Sequence, residues 1–133
     1  MFGEDLLIGQ RTSKIDGKNR IYLPPFTKAE KDDEIALINM IDNNGFPYIK
    51  LYLLKKYKEI AERLQKLQEN ATSIEEYMQY EQKIIDICSY IDAVLKVDSQ
   101  RRVLIPQDIM TANRWQDRDS LICEGKGNFL VIR

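Results

Sequence analysis

The sequence predicts an α+β fold in which two similar strand-rich halves flank a helical hairpin. Three observations carry that prediction. A short phrase occurs twice, as Asp16-Gly17-Lys18-Asn19-Arg20-Ile21-Tyr22-Leu23-Pro24 and as Asp98-Ser99-Gln100-Arg101-Arg102-Val103-Leu104-Ile105-Pro106, with Asp, Arg and Pro in register. An internal echo of this kind marks a tandem of similar units. Short apolar runs bounded by turn signals surround each copy, and between the copies the apolar period changes to that of a helix.

The first half begins with Leu6-Leu7-Ile8 and passes through Gly9 to Ile15, a stretch of alternating polarity suited to a strand. Asp16-Gly17 signals a turn, because the aspartate side chain can accept backbone N–H bonds while Gly17 or Asn19 supplies a positive φ. Ile21-Tyr22-Leu23 resumes as a second strand, giving a hairpin with the polar residues at its tip. Pro24-Pro25 ends that strand and opens a short helix, Phe26 to Lys31. Ile35 to Ile41 reads as a buried strand, Asp42-Asn43-Asn44-Gly45 as a turn, and Tyr48 to Leu53 as the returning strand. The acidic tetrad lacks the later ligands of a calcium loop.

From Lys55 to Glu69 the residues Tyr57, Ile60, Ala61, Leu64 and Leu67 share one helical face, with Glu59–Arg63 and Glu62–Lys66 as favourably ordered pairs. Ser73-Ile74-Glu75-Glu76 has the spacing of a capping box and opens a second helix running to about Tyr90. Its apolar face holds Ile74, Tyr77, Met78, Ile84, Ile85, Cys88 and Ile91, which suits a core or a subunit interface. The opposite side is acidic, with Glu75, Glu76, Glu81, Asp86 and Asp92 against Lys83, and would repel a phosphate backbone.

The second half repeats the first. Ala93 to Val97 enters the second phrase, Pro106 to Met110 mirrors the proline-led helix, and Leu121-Ile122-Cys123, Gly125 to Asn128 and Phe129 to Ile132 supply strand, turn and strand. Trp115 is expected as a packing anchor near a loop. The organisation is therefore one domain over 1–133, with a first repeat 1–54, a helical hairpin 55–92 and a second repeat 93–133.

Composition narrows the function. The 133 residues, 44% hydrophobic and 31% charged, describe a packed soluble domain rather than a disordered chain. No apolar run approaches the roughly 20 residues of a membrane span, and Met1-Phe2-Gly3-Glu4-Asp5 lacks the basic start of a secretory signal, so a cytoplasmic protein is expected. Cys88 and Cys123 form no CxxC motif and are expected as buried free thiols. The sequence has no histidine, the commonest general base and zinc ligand, and shows no nucleophile and base pair. A non-enzyme without metal or cofactor is expected. A net charge of −1 means that nucleic-acid binding would need locally concentrated cations.

Such concentration exists. Arg11 to Lys31 holds six basic residues against Asp16 and Glu30, and Lys96, Arg101 and Arg102 form a smaller cluster. Lys14 and Lys96 occupy matching positions just upstream of the two phrases. Cations neutralise phosphates, and the planar fork of arginine suits guanine O6 and N7. The same spacing also allows a purely structural use, in which Asp and Arg four residues apart pair across the turn.

The double phrase Asp-x-x-x-Arg, followed by apolar-x-apolar-Pro and separated by two helices, resembles the MraZ family of the AbrB-like swapped-hairpin group. The resemblance runs from Met1-Phe2-Gly3 through Leu51-Tyr52-Leu53 and Leu104-Ile105-Pro106-Gln107 to the final strand. It implies a double-split β-barrel of two interleaved swapped-hairpin repeats, a ring-shaped homo-oligomer, and nucleoid-associated regulation of a division and cell-wall gene cluster through tandem G-rich promoter repeats in double-stranded DNA. By position it makes Lys18, Arg20 and Arg102 DNA-facing, with Arg101, Lys14 and Lys96 as further basic candidates, and Asp16 and Asp98 turn-shaping. Two departures stand out. Asn19 and Arg101 replace the usual glycine before each arginine, so Arg101 is either strained or sits in a different turn; and the second helix is acidic. That acidity leaves a second reading, an oligomeric scaffold or partner-binding protein of the same fold with lost or altered DNA binding.

Overall fold

A computed structural model describes all residues, Met1–Arg133. In chain order it contains β1 (Gln10–Lys14), β2 (Arg20–Tyr22), a 3-10 turn (Pro25–Thr27), β3 (Glu34–Ile41), β4 (Pro47–Leu53), α1 (Leu54–Glu69), α2 (Ile74–Ser89), β5 (Ala93–Lys96), β6 (Arg102–Leu104), α3 (Gln107–Asn113), β7 (Ser120–Gly125) and β8 (Leu130–Ile132). The fold is α+β. Six strands form an antiparallel sheet in the order β1-β7-β8-β4-β3-β5, and β2 pairs with β6 in a separate two-stranded ribbon. The larger sheet does not close into a barrel, since β1 and β5 are its edges.

The pairing corrects the simple hairpin reading. β1 does not ladder with β2; it pairs with β7 from Gln10 opposite Glu124 to Lys14 opposite Ser120. β2 pairs with β6, placing Arg20 opposite Leu104, Ile21 opposite Val103, and Tyr22 opposite Arg102. β3 pairs with β5 and β4 with β8, so strands of the first half repeatedly find partners in the second. The reason is burial: Ile21 and Val103 are both fully buried, and each supplies the apolar partner that the other half lacks. Residues of both halves, including Ile15, Ile21, Leu37 and Leu51 with Val97, Val103, Ile105 and Leu130, share one core cluster, against which Trp115 packs.

Alternation across the ribbon turns Ile21 and Val103 inward and leaves the flanking Arg20, Tyr22, Arg102 and Leu104 outward. The helix expected over Phe26 to Lys31 shortens to one 3-10 turn, because Lys28 takes a left-handed conformation with φ 54° and closes it. Its counterpart α3 is longer, and Arg114 ends it with φ 56°. Gly125 is required for packing, since a Cβ there would lie 2.5 Å from the Leu7 carbonyl where the amino-terminal segment crosses.

α1 and α2 form the helical hairpin. Ser73 caps α2 by accepting from the Glu76 amide at 3.1 Å, while the Glu76 carboxylate turns to Thr72 rather than back to Ser73. Glu59–Arg63 and Glu62–Lys66 do not close to ion-pairing distance; these long exposed side chains stay solvated, where such pairs gain little. The apolar face of α2 is not core. No residue of α2 is buried, and Ile74, Tyr77, Met78 and Ile85 remain exposed. Cys88 lies on this open face, so only Cys123 is a buried thiol. No helix is long and apolar enough to cross a membrane.

Candidate nucleic-acid interface

The two phrases fold into the same turn. In the first, Asp16 Oδ1 accepts the amides of Lys18 at 2.9 Å and Arg20 at 2.8 Å; in the second, Asp98 Oδ1 accepts those of Gln100 at 2.9 Å and Arg102 at 2.8 Å. The residue before each arginine is left-handed, Asn19 at φ 60° and Arg101 at φ 61°. The second turn therefore does not differ. Arg101 adopts the backbone that asparagine adopts in the first, a conformation costly for a residue with a Cβ.

Each arginine is also paired with its turn aspartate. Arg20 Nε donates to Asp16 Oδ2 at 2.7 Å and Arg102 Nε to Asp98 Oδ2 at 2.8 Å. The structural use of the Asp–Arg spacing is thus realised in both copies. Partial desolvation pushes the Asp16 carboxyl upward, but the amides of Arg20 and Lys18 and the Arg20 guanidinium outweigh it and hold the group below its ordinary range. Asp98 behaves alike, its desolvation outweighed by the Arg102 and Gln100 amides and the Arg102 guanidinium.

The turns then dock on each other. Leu23 N–H donates to Arg101 O at 2.9 Å and Ile105 N–H to Asn19 O at 2.8 Å, extending the β2–β6 ribbon beyond its strands. Asn19 Nδ2 donates to Gln107 Oε1 at 3.1 Å, and Arg102 Nη1 stands 4.0 Å from Asp16 Oδ2. The Tyr22 ring lies 5.6 Å from the Arg102 guanidinium, which is only 15% exposed, while Leu104 stands opposite Arg20, which is 29% exposed. Tyr22, Gln100 and Gln107 are parts of this platform that motif spacing did not single out; cross-half strand pairing, invisible in the motif itself, brings them there.

The candidate residues divide by position. Lys18, Arg20, Arg101 and Arg102 come together on the docked turns, where Asp16 and Asp98 are the shaping carboxylates. Lys18 and Arg101 are exposed and form no ion pair. Lys14 ends β1, exposed. Lys96 ends β5 and is drawn toward Asp32 at 3.9 Å. Because Arg20 is anchored through Nε, its terminal amino groups make no protein hydrogen bond and can present two parallel donors outward.

No protein-family model matches the chain. Over 104 residues, 78% of the chain, it is 30% identical to the protein named Transcriptional regulator MraZ from Caldicellulosiruptor bescii. The match supports the MraZ family resemblance. It spans 65% of that relative's length. The α+β architecture of this MraZ-like chain, with its three helices and antiparallel sheet, agrees with that resemblance.

Proposed function

We propose that the chain is a cytoplasmic, nucleoid-associated transcriptional regulator that binds double-stranded DNA through the docked Asp16–Arg20 and Asp98–Arg102 turns. The observation that carries this reading is the presence of two superimposable turns, packed together, that hold Arg20 and Arg102 in place and lift Lys18 and Arg101 into solvent. Tethered arginines lose little freedom on binding, and Lys18 and Arg101 supply free charge for phosphates. Lys14 extends the basic surface beside the first turn; Lys96, shared with Asp32, contributes less.

In this proposal residues 1–54 and 93–133 are interleaved swapped-hairpin repeats of one unit, whose six-stranded sheet stays open at β1 and β5, with 55–92 projecting from it. The units assemble into a homo-oligomeric ring, and the repeated turns address tandem G-rich repeats in the promoter of a division and cell-wall gene cluster. Multivalency then compensates for a modest charge per subunit.

Fluorescence anisotropy with duplexes carrying tandem G-rich repeats, titrated over salt, tests the reading. Binding is expected to weaken with salt, and Lys18→Ala to reduce the slope of log K against log salt by about 1 for each phosphate that the lysine neutralises in the bound complex. Arg20→Gln is expected to relax discrimination against duplexes without guanine runs. Equal affinity of the wild type and the Lys18→Ala/Arg20→Gln variant would sink it. The open acidic face of α2 favours the scaffold reading instead if wild-type protein shows no DNA retention at low salt.

A further inference from the structure

The two phrases put different residues on the open side of the β2–β6 ribbon. Tyr22 and Leu104 hold matching positions in the two copies and both face outward, while Ile21 and Val103 face the core. Tyr22 is 51% and Leu104 60% exposed, on a side where a polar residue would serve the strand equally well.

The surroundings of the two differ. The Tyr22 ring lies 5.6 Å from the Arg102 guanidinium and its hydroxyl 3.5 Å from Gln100 Oε1, so this side chain is engaged by the second turn. Arg102, paired with Asp98 beneath that ring, is left 15% exposed. Leu104 instead stands opposite Arg20 in the ladder, where facing side chains start about 5 Å apart. Arg20 is the more open of the two phrase arginines at 29%, and its guanidinium makes no protein hydrogen bond beyond the one from Nε to Asp16. One half of the ribbon therefore has its arginine sheathed by an aromatic ring, and the other sets an outward guanidinium beside an exposed leucine.

We propose that Arg20 and Leu104 form one base-reading pair, in which Leu104 packs against the 5-methyl group of a thymine next to the guanine that Arg20 addresses. This rests on the reading of the docked turns as a DNA interface and adds a second base to what that interface reads. The major groove, about 12 Å wide, admits a two-stranded ribbon, and the thymine methyl is the one apolar group that base edges display there. Against that methyl, leucine removes two apolar surfaces from water at once; against the amino group of adenine or cytosine it would leave a donor unpaired. A lone exposed leucine is ordinary on a protein surface. This one is set apart by its register, directly across the ladder from Arg20. Tyr22, held by the second turn, does not repeat the contact, so the ribbon reads its site asymmetrically.

Fluorescence anisotropy compares two duplexes of one sequence, tandem guanine runs separated by thymines, with deoxyuridine replacing every thymine in the second. The exchange removes only methyl groups. Wild-type protein is expected to bind the deoxyuridine duplex about fourfold more weakly for each methyl that Leu104 covers, the effect of burying one carbon. Leu104→Ala is expected to bind both duplexes alike, and Leu104→Met, which keeps the apolar reach, to retain the preference. If circular dichroism shows the Leu104→Ala fold lost, Leu104→Ser replaces it under the same criteria. Equal binding of the two duplexes by the wild type, or a thymine preference that survives Leu104→Ala, would overturn the inference and leave the DNA reading standing, since both are measured on bound protein. Wild-type protein that binds neither duplex at low salt would overturn the reading of the turns and the inference with it.

Discussion

Replacing Arg101 with glycine separates what this side chain does for the fold from what it does for binding. Its backbone is fully engaged: the amide donates to Asp98 O at 3.1 Å and the carbonyl accepts from Leu23 N–H at 2.9 Å. The side chain is exposed and makes neither a hydrogen bond nor an ion pair, while its φ of 61° places it where a Cβ costs roughly 1 to 2 kcal/mol. Glycine removes that strain but adds freedom to the unfolded chain, offsetting roughly 0.4 to 1 kcal/mol. Arg101→Gly is therefore expected to fold with unchanged or raised stability, by up to about 1.5 kcal/mol. Urea unfolding followed by far-ultraviolet circular dichroism measures that difference. In the anisotropy titration the same variant is expected to bind more weakly and with a shallower salt slope. Destabilisation by more than about 1 kcal/mol would refute the strain argument, and unchanged DNA affinity would refute the assignment of Arg101 to the interface.

Leu37→Ala, at a fully buried position in β3, is expected to cost about 2 to 5 kcal/mol in the same urea assay, the usual range for a core truncation. Burial pushes the Cys123 thiol up to about 12, whereas Cys88 is exposed, so a thiol reagent at pH 8 is expected to label Cys88 quickly and Cys123 only on unfolding. Asp16 and Asp98 are held below the ordinary carboxylate range, so the stability they contribute is present above the unfolded-state value and is lost as pH falls through the folded one. Urea midpoints are expected to be insensitive to these groups near neutrality and to fall in the acid range, with Asp16→Asn/Asp98→Asn showing a shallower acid decline.

Much of the fold is legible in the sequence because it is written in local chemistry. Asp16 and Asp98 are short acceptors placed to gather the amides of their own turns, and Ser73 opens α2 for the same kind of reason. What sequence patterns miss is whatever depends on the other half of the chain. The phrase from Lys14 to Tyr22 contains all the signals of a hairpin, yet β2 completes its ladder with β6, because the residue that buries Ile21 is Val103. Helical periodicity likewise identifies an apolar face on α2 but not the surface that covers it, and for that reason it misplaces Cys88 in the core. Tyr22 enters the candidate site only through its register opposite Arg102.

The turn between β3 and β4 sharpens the distinction between scaffold and function. Asp42 Oδ1 accepts the amides of Asn44 and Phe46, both at 2.9 Å, and Gly45 before Phe46 is left-handed with φ 82°. This is the hydrogen-bond pattern of the two phrases, built without an arginine and with glycine at the left-handed position. An aspartate therefore shapes this turn whether or not a guanidinium sits beside it, and the Asp–Arg pair is not a requirement of the backbone. In this turn the left-handed position is held by glycine, the residue that adopts that conformation most readily, although elsewhere the chain places Lys28, Asp32, Arg114 and Arg118 there. At the corresponding position in the second phrase it carries Arg101 at a steric cost, and places arginine, not an apolar residue, after it. The chain accepts the same strain at Lys28 and Arg114, which only close a 3-10 turn and α3, so the argument for a partner rests on the arginine placed after each turn, which the backbone does not require, rather than on the left-handed Arg101.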